Sequence, residues 1–404
     1  MKETEPEFQQ ILRLMSQFKT EIEAVQLLHK AMYRNMCHYV DDYGHAVLTN
    51  MYMPGEIFYA MGLTPFITEY VTGTMATLRK TPELLDIVEQ RTQTTGFCSY
   101  ITSIIGIFEK RHLPVPGFLV LPSEICEDTP KIFEYLHYRY QKRTKLFFID
   151  IPFSSDASTV DYVASQLEQL ACFLESQTGR PLDEKRLADT LELSNRAKRT
   201  GDKVKEIRKT SPPLIPGKYG INMASVIGLF GTQEAVDILE NLYADIQQRK
   251  EKGNFTGHGR SRRLFWVHVF PPYASKLIQY LERELDATIV GEEIFYIPKV
   301  TLDPASPFRS LAQKILAHPV HGSIEGRKNH IVKEALDHGA DGVINFSPNY
   351  CRVARGVVPL LRSAFVQEGI PFLELTGDPV DPRNYSLSQM ETRLEAFMEV
   401  VKNH

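Results

Sequence analysis

The sequence predicts an α/β protein made of two Rossmann-like parallel-sheet domains, with an N-terminal helical segment and a helical linker between the domains. Three observations carry this reading. Short buried-strand patterns alternate with helical ones in two separate stretches, at the spacing of parallel strand–helix–strand units. A long, charged, helical stretch without strand signal lies between them. Each strand-bearing stretch also carries a cysteine just after a buried strand, followed by a helix and a strand that runs into an aspartate. Asp150 follows Cys126 by 24 residues, and Asp378 follows Cys351 by 27.

Residues 5–40 read as helical, because Leu12, Leu14, Phe18, Ile22, Val25 and Leu28 recur near helical spacing. Pro54 opens a second helix that Gly62 caps. Buried strands are expected over 118–121 and 145–150, with a helix near 131–140 between them. Residues 158–208 form the charged helical linker, and the run Ser211–Gly217, with three prolines and a glycine, is a boundary. A helix is expected from about 223 to 250, then a polar, Gly-containing loop over 251–260. Further strands fit 263–269, 287–290, 342–346 and 371–375. The expected units are a helical segment 1–45, a first α/β domain 46–157, a linker 158–215 and a second α/β domain 216–404.

With 46 basic and 50 acidic residues, the net charge of −4 offers no electrostatic reason for nucleic acid or an anionic membrane as partner. No stretch approaches the roughly 18 uninterrupted apolar residues of a membrane span. The first ten residues are polar and acidic, without a signal-peptide core. The five cysteines are odd in number and scattered, unlike a secreted disulfide framework. The expectation is a cytoplasmic protein with reduced thiols.

Cys98, Cys126 and Cys351 lie in loop-like contexts: Cys98 directly before an apolar helical pattern, whose N-terminus favours a thiolate, and Cys351 at a strand-to-helix turn. Cys37 and Cys172 sit inside helical patterns and read as core residues. Taken singly, each of the five reads better as a small buried hydrophobe. There is no C-x-x-C, so neither a zinc ribbon nor a ferredoxin pattern is present. In open parallel sheets, ligands bind outside the carboxyl ends of the strands. Two such edges facing each other would form a cleft lined by Cys126 and Cys351.

Four stretches carry a family resemblance: the helix Pro54–Gly62, the segment Cys98–Tyr100, Cys126 with 131–135, and a C-terminal block. That block holds Gly326-Arg327, the run 340–346, Cys351, residues 368–371, Gly377-Asp378, the run Asp381–Tyr385 and the helix from Glu391. Over about 54–401 the sequence resembles the component D subunits of the 2-hydroxyacyl-CoA dehydratases, relatives of the class I benzoyl-CoA reductase subunits. The resemblance implies a 4Fe–4S cluster on Cys98, Cys126 and Cys351, with the fourth iron open to another ligand or the substrate. Five cysteines are too few for the double-cubane branch of the family. Thr102, Glu127-Asp128 and Asn349-Tyr350 depart from the usual neighbours of the three cysteines, which alters the surroundings that tune cluster and substrate.

The resemblance also implies an enzyme, a hydro-lyase removing water from a 2-hydroxyacyl-CoA to give an enoyl-CoA. The β-proton is not acidic, and a radical route solves this. A partner ATPase, itself an iron–sulfur protein, injects one low-potential electron, and a ketyl radical anion expels the hydroxyl. Implied partners are that activator, a related second subunit in a hetero- or homodimer, and the acyl-CoA substrate. Aryl-CoA reduction is the alternative reaction, and a non-enzymatic zinc-binding protein, with His268 or His321 as fourth ligand, a third reading. A base is still needed. Glu56, in the Pro54 helix, is one candidate; His268, on the strand 263–269, is the other. Each has a structural counterpart reading, as a first-turn carboxylate and as a core histidine. Arg327 and Lys328 read either as CoA-phosphate contacts or as a solvated basic face, and Asp378, Asp381 and Arg383 as a turn.

Overall fold

The computed structural model describes residues 6–17, 19–92, 96–256 and 261–404. Two four-stranded, all-parallel sheets organise it. The first contains β1 (Ala46–Thr49), β2 (Thr64–Ile67), β3 (Phe118–Pro122) and β4 (Lys145–Ile149) in the order β2-β1-β3-β4. The second contains β5 (Arg262–Val267), β6 (Ala287–Glu292), β7 (Gly342–Pro348) and β8 (Phe372–Gly377) in the order β6-β5-β7-β8. The two sheets therefore repeat one topology. In each, the chain steps outward from its first strand and then returns to that strand's other side. This reversal opens a crevice at the carboxyl ends of β1 and β3, and of β5 and β7.

Central parallel strands are covered on both faces, so they are apolar throughout rather than alternating. Every residue of β1, β3 and β7 is buried, whereas the edge strands β4 and β8 are partly exposed. β1 and β2 are four residues each, too short to stand out as patterns, and Pro65 is tolerated in β2 because that strand lies at the sheet edge. The expected strand 263–269 ends at Val267, because His268 turns the chain with φ at +68°.

The expected N-terminal helix is two, Pro6–Ser16 and Glu23–Asp41, separated where Ile22 is extended (φ −105°, ψ 113°). Residue 5 and Phe18 fall outside the described residues, as do residues 257–260 of the expected loop. Gly62 ends the short helix Glu56–Ala60 with φ at +67°, a backbone state that favours glycine. The linker region is a helical pair, Ala157–Thr178 and Glu184–Arg208. Asp156 caps the first and Asp183 the second by accepting from backbone amides, and Gly179 (φ +66°) ends the first. The helix expected from 223 starts later, at Gln233, behind a Thr232 cap; residues 224–229 form a tighter 3₁₀ segment.

Val25 and Leu28, Ala197, and Leu239 and Leu242 bring the helices Glu23–Asp41, Glu184–Arg208 and Gln233–Lys252 into one apolar core. The helix Pro307–Leu316 packs on Ala157–Thr178 beside the first sheet, so a segment that follows β6 ties the two sheets together. Among the described residues, no helix is long and apolar enough to cross a membrane.

Candidate functional site

A cleft of about 680 Å³ takes lining residues from beyond the carboxyl ends of strands in both sheets. Cys98, Cys126 and Cys351 all line it, together with Tyr52, Glu69, Tyr100 and His268. Three separate chain segments thus deliver the three expected cysteines to one cavity. Cys37, half-buried on the helix Glu23–Asp41, is elsewhere. Cys172 is exposed on Ala157–Thr178 rather than in the core, because it faces outward from that helix.

Each cysteine is held by its local backbone. Cys98 is the N-cap residue of the helix Ser99–Glu109, and its amide donates to Asp128 Oδ2 at 2.6 Å. Cys126 sits between β3 and the helix Asp128–Tyr140, after Ile125 with φ at +84°. Cys351 caps the short helix Arg352–Gly356, its sulfur accepting from the Ala354 amide at 3.4 Å, after Tyr350 with φ at +66°. Such left-handed backbone is strained for large side chains and concentrates at functional sites.

Burial pushes the Cys98 thiol upward, and the neighbouring Cys126 and Cys351 add to the shift. Burial raises Cys126 to about 11, against the Thr129 hydroxyl and nearby backbone amides. Cys351 is also raised by burial, opposed by the Ala354 amide and the Arg327 charge. Three half-buried thiols facing one cavity cannot all ionise unless a cation compensates them, which is what a metal centre provides. Among the described residues, no three His, Cys, Asp or Glu side chains converge on a single-ion site. The three thiols line the walls of the cleft.

Behind Cys351 lies a buried polar chain. Arg327 is only 3% exposed. It donates from Nε to Glu293 Oε1 at 2.7 Å, from one terminal nitrogen to Glu293 Oε2 at 3.0 Å, and from the other to the Val353 carbonyl at 2.6 Å. Burial alone would raise the Glu293 carboxyl, but the Arg327 charge and hydrogen bonds bring it down to about 2. The His268 amide donates to Glu293 Oε2 at 3.0 Å, and its ring spans Arg327 and Cys351. Burial, reinforced by Arg327, lowers the imidazole to about 4, so it is neutral at pH 7. Arg327 is therefore neither a phosphate contact nor part of a solvated face, while Lys328 pairs with Glu325.

Glu56 does not line the cleft. It is fully buried, where its Oε1 accepts from Ser194 at 2.6 Å and from Lys314 at 2.5 Å. His321 pairs with Glu124 away from the cleft lining. Asp378 closes a turn onto the Val380 and Asp381 amides, and also accepts from Ser99 Oγ at 2.5 Å, joining the end of β8 to the residue after Cys98. Asp381 and Arg383 form the expected turn pair.

The sequence pattern gave no sign of Glu69. This residue follows β2, lines the cleft, and accepts from Thr68 Oγ1 at 2.8 Å and the Met51 amide at 3.2 Å. Burial outweighs those bonds and raises its carboxyl to about 7. The one available signal is its place after a strand of the first sheet, and that strand is too short to read as a pattern.

Fold and cleft together define a two-domain α/β protein with a cleft lined from topologically matched parallel sheets. The chain belongs to the family described as 2-hydroxyglutaryl-CoA dehydratase, D-component, which it matches over residues 50–401. It is 25% identical to the alpha subunit of (R)-2-hydroxyglutaryl-CoA dehydratase of Acidaminococcus fermentans, over 73% of this chain and 62% of that relative. It is 22% identical to the alpha subunit of (R)-phenyllactyl-CoA dehydratase of Clostridium sporogenes, over 86% and 87% of the two chains. It is also 25% identical to one of the subunits of benzoyl-CoA reductase of Thauera aromatica, over 78% of each chain.

Proposed function

We propose that the chain is a subunit of an iron–sulfur 2-hydroxyacyl-CoA dehydratase, with Cys98, Cys126 and Cys351 holding a 4Fe–4S cluster. The observation that carries this reading is the meeting of those cysteines, from both halves of the chain, in one cleft. When bound on three thiolates, such a cluster supplies electron transfer and an open iron that acts as a Lewis acid.

The chain's own residues supply the rest. Glu69 is the base: its carboxyl lines the cleft, and a value near 7 lets it take and return a proton at neutral pH. Thr68 Oγ1 and the Met51 amide both donate to Oε2 and hold the carboxyl in place. Tyr52, Tyr70 and Tyr100 also line the cleft, and their aromatic bodies help exclude water around the reacting carbon. Lys19 and Lys218 line it as well, and offer positive charge to the phosphates of a CoA thioester. The partners under this reading are a related second subunit and an ATP-dependent iron–sulfur activator.

The likeness to a benzoyl-CoA reductase favours one second reading, ATP-driven reduction of an aryl-CoA. Anaerobic turnover with an activating ATPase and partner subunit separates the two. Enoyl-CoA formed from 2-hydroxyacyl-CoA thioesters supports the dehydratase. Dienoyl-CoA formed from benzoyl-CoA, with the hydroxyacyl thioesters untouched, supports the reductase.

A further inference from the structure

His268 stands between the guanidinium of Arg327 and the sulfur of Cys351. Its Nδ1 lies 3.4 Å from an Arg327 terminal nitrogen, and its Nε2 lies 3.7 Å from Cys351 Sγ. Arginine has only donors. Nδ1 must therefore be the accepting nitrogen, because a proton there would point a donor at a donor. With Nδ1 accepting, the ring proton sits on Nε2, the nitrogen facing the sulfur. That same proton removes the lone pair His268 would need to ligate iron through Nε2.

We propose that His268 is a positioning residue that donates an Nε2–H···S hydrogen bond to Cys351 and thereby sets the reduction potential of the cluster held there; this rests on the iron–sulfur reading above. The surroundings are built to hold the ring in place. Glu293 grips both the His268 amide and the Arg327 guanidinium, and Arg327 also grips the Val353 carbonyl, two residues past Cys351. One buried ion pair thus fixes the donor and the turn that bears the acceptor. His268 follows β5 in left-handed backbone, φ +68°, a state that concentrates at functional sites. A donor to a ligating sulfur stabilises the more negative, reduced cluster and so raises its potential.

The test uses full-length protein reconstituted anaerobically. His268→Asn keeps a residue that tolerates left-handed backbone but cannot reach the sulfur. It is expected to retain wild-type iron and sulfide and to shift the reduction equilibrium about tenfold toward the oxidised cluster, a drop of about 59 mV for a one-electron couple. His268→Gln, which can again present an N–H, should return part of that shift. A variant-free readout accompanies these: ENDOR of the reduced wild-type cluster should show a proton coupling that exchanges in D2O. An unchanged potential at full iron content, or absence of the exchangeable coupling, overturns the proposal. Loss of iron in both variants overturns it differently, making His268 a ligand. A wild-type chain that takes up no iron would instead defeat the iron–sulfur reading, and this inference with it.

Discussion

At the scale of single residues, two glutamates separate the core from the chemistry. Glu56 is a buried partner of Lys314, with no place in the cleft lining. Removing one member of such a pair leaves the other charge uncompensated. Glu56→Gln should cost about 3 kcal/mol of stability, read as a lowered Tm, while the iron content of the folded protein is unchanged. Glu69→Gln should do the reverse: Tm and iron near wild type, and kcat lower by about 10²- to 10⁴-fold, the usual worth of a general base. A Glu69→Gln enzyme that turns over normally would remove Glu69 from the mechanism. The difference between these residues was not visible in the sequence. Glu56 sits in a recognisable Pro-x-Glu helix, but its partners are 138 and 258 residues away. The contacts that define His268 are likewise distant, at Glu293, Arg327 and Cys351.

At the scale of elements, the sequence announced strands where the apolar run is long enough. β3 to β8, of five to seven residues each, were legible, the partly exposed edge strands β4 and β8 included. β1 and β2 were not, and with them went the identity of Tyr52 and Glu69 as strand-end residues. The packing of the helix Gly217–Met223 on β6 gives a test at this scale. Glu282 Oε1 accepts from the Gly217 amide at 2.6 Å, at the start of that helix. Burial raises the Glu282 carboxyl to about 7, against an ordinary 4.5. Between those values the folded protein binds more protons than the unfolded one. Its contribution to stability is therefore fully present below about 4.5 and is lost as pH rises through about 7. Glu282→Gln can still accept from the Gly217 amide and should flatten that decline. Urea unfolding at several pH values measures it, and an unchanged slope would contradict the assignment.

At the scale of the whole molecule, one topology occurs twice, and the cleft draws its lining from both copies. The repeat was legible because each half places a cysteine after a buried strand and an aspartate at the end of the next. The cleft itself was only an expectation, since no local pattern shows how two sheets face each other. The helix Pro307–Leu316, seated beside the first sheet, shows why chain order alone did not reveal that packing. Because the proposed ligand set spans both halves, losing one cysteine should empty the site without unfolding either sheet. Cys351→Ala should retain the far-ultraviolet spectrum and lose its iron, whereas Cys172→Ala, on an exposed helix face, should keep both. Iron loss in the Cys172 variant would mean that the ligands are different ones.

The most direct test of the central claim is the metal content of the wild-type chain. The protein is purified without oxygen and assayed for iron, acid-labile sulfide and visible absorption. The expected result is about four irons and four sulfides per chain, the content of a 4Fe–4S cluster, with a brown colour that reductant bleaches. A colourless chain that binds neither iron nor sulfide after anaerobic reconstitution would contradict the claim that Cys98, Cys126 and Cys351 form a cluster site.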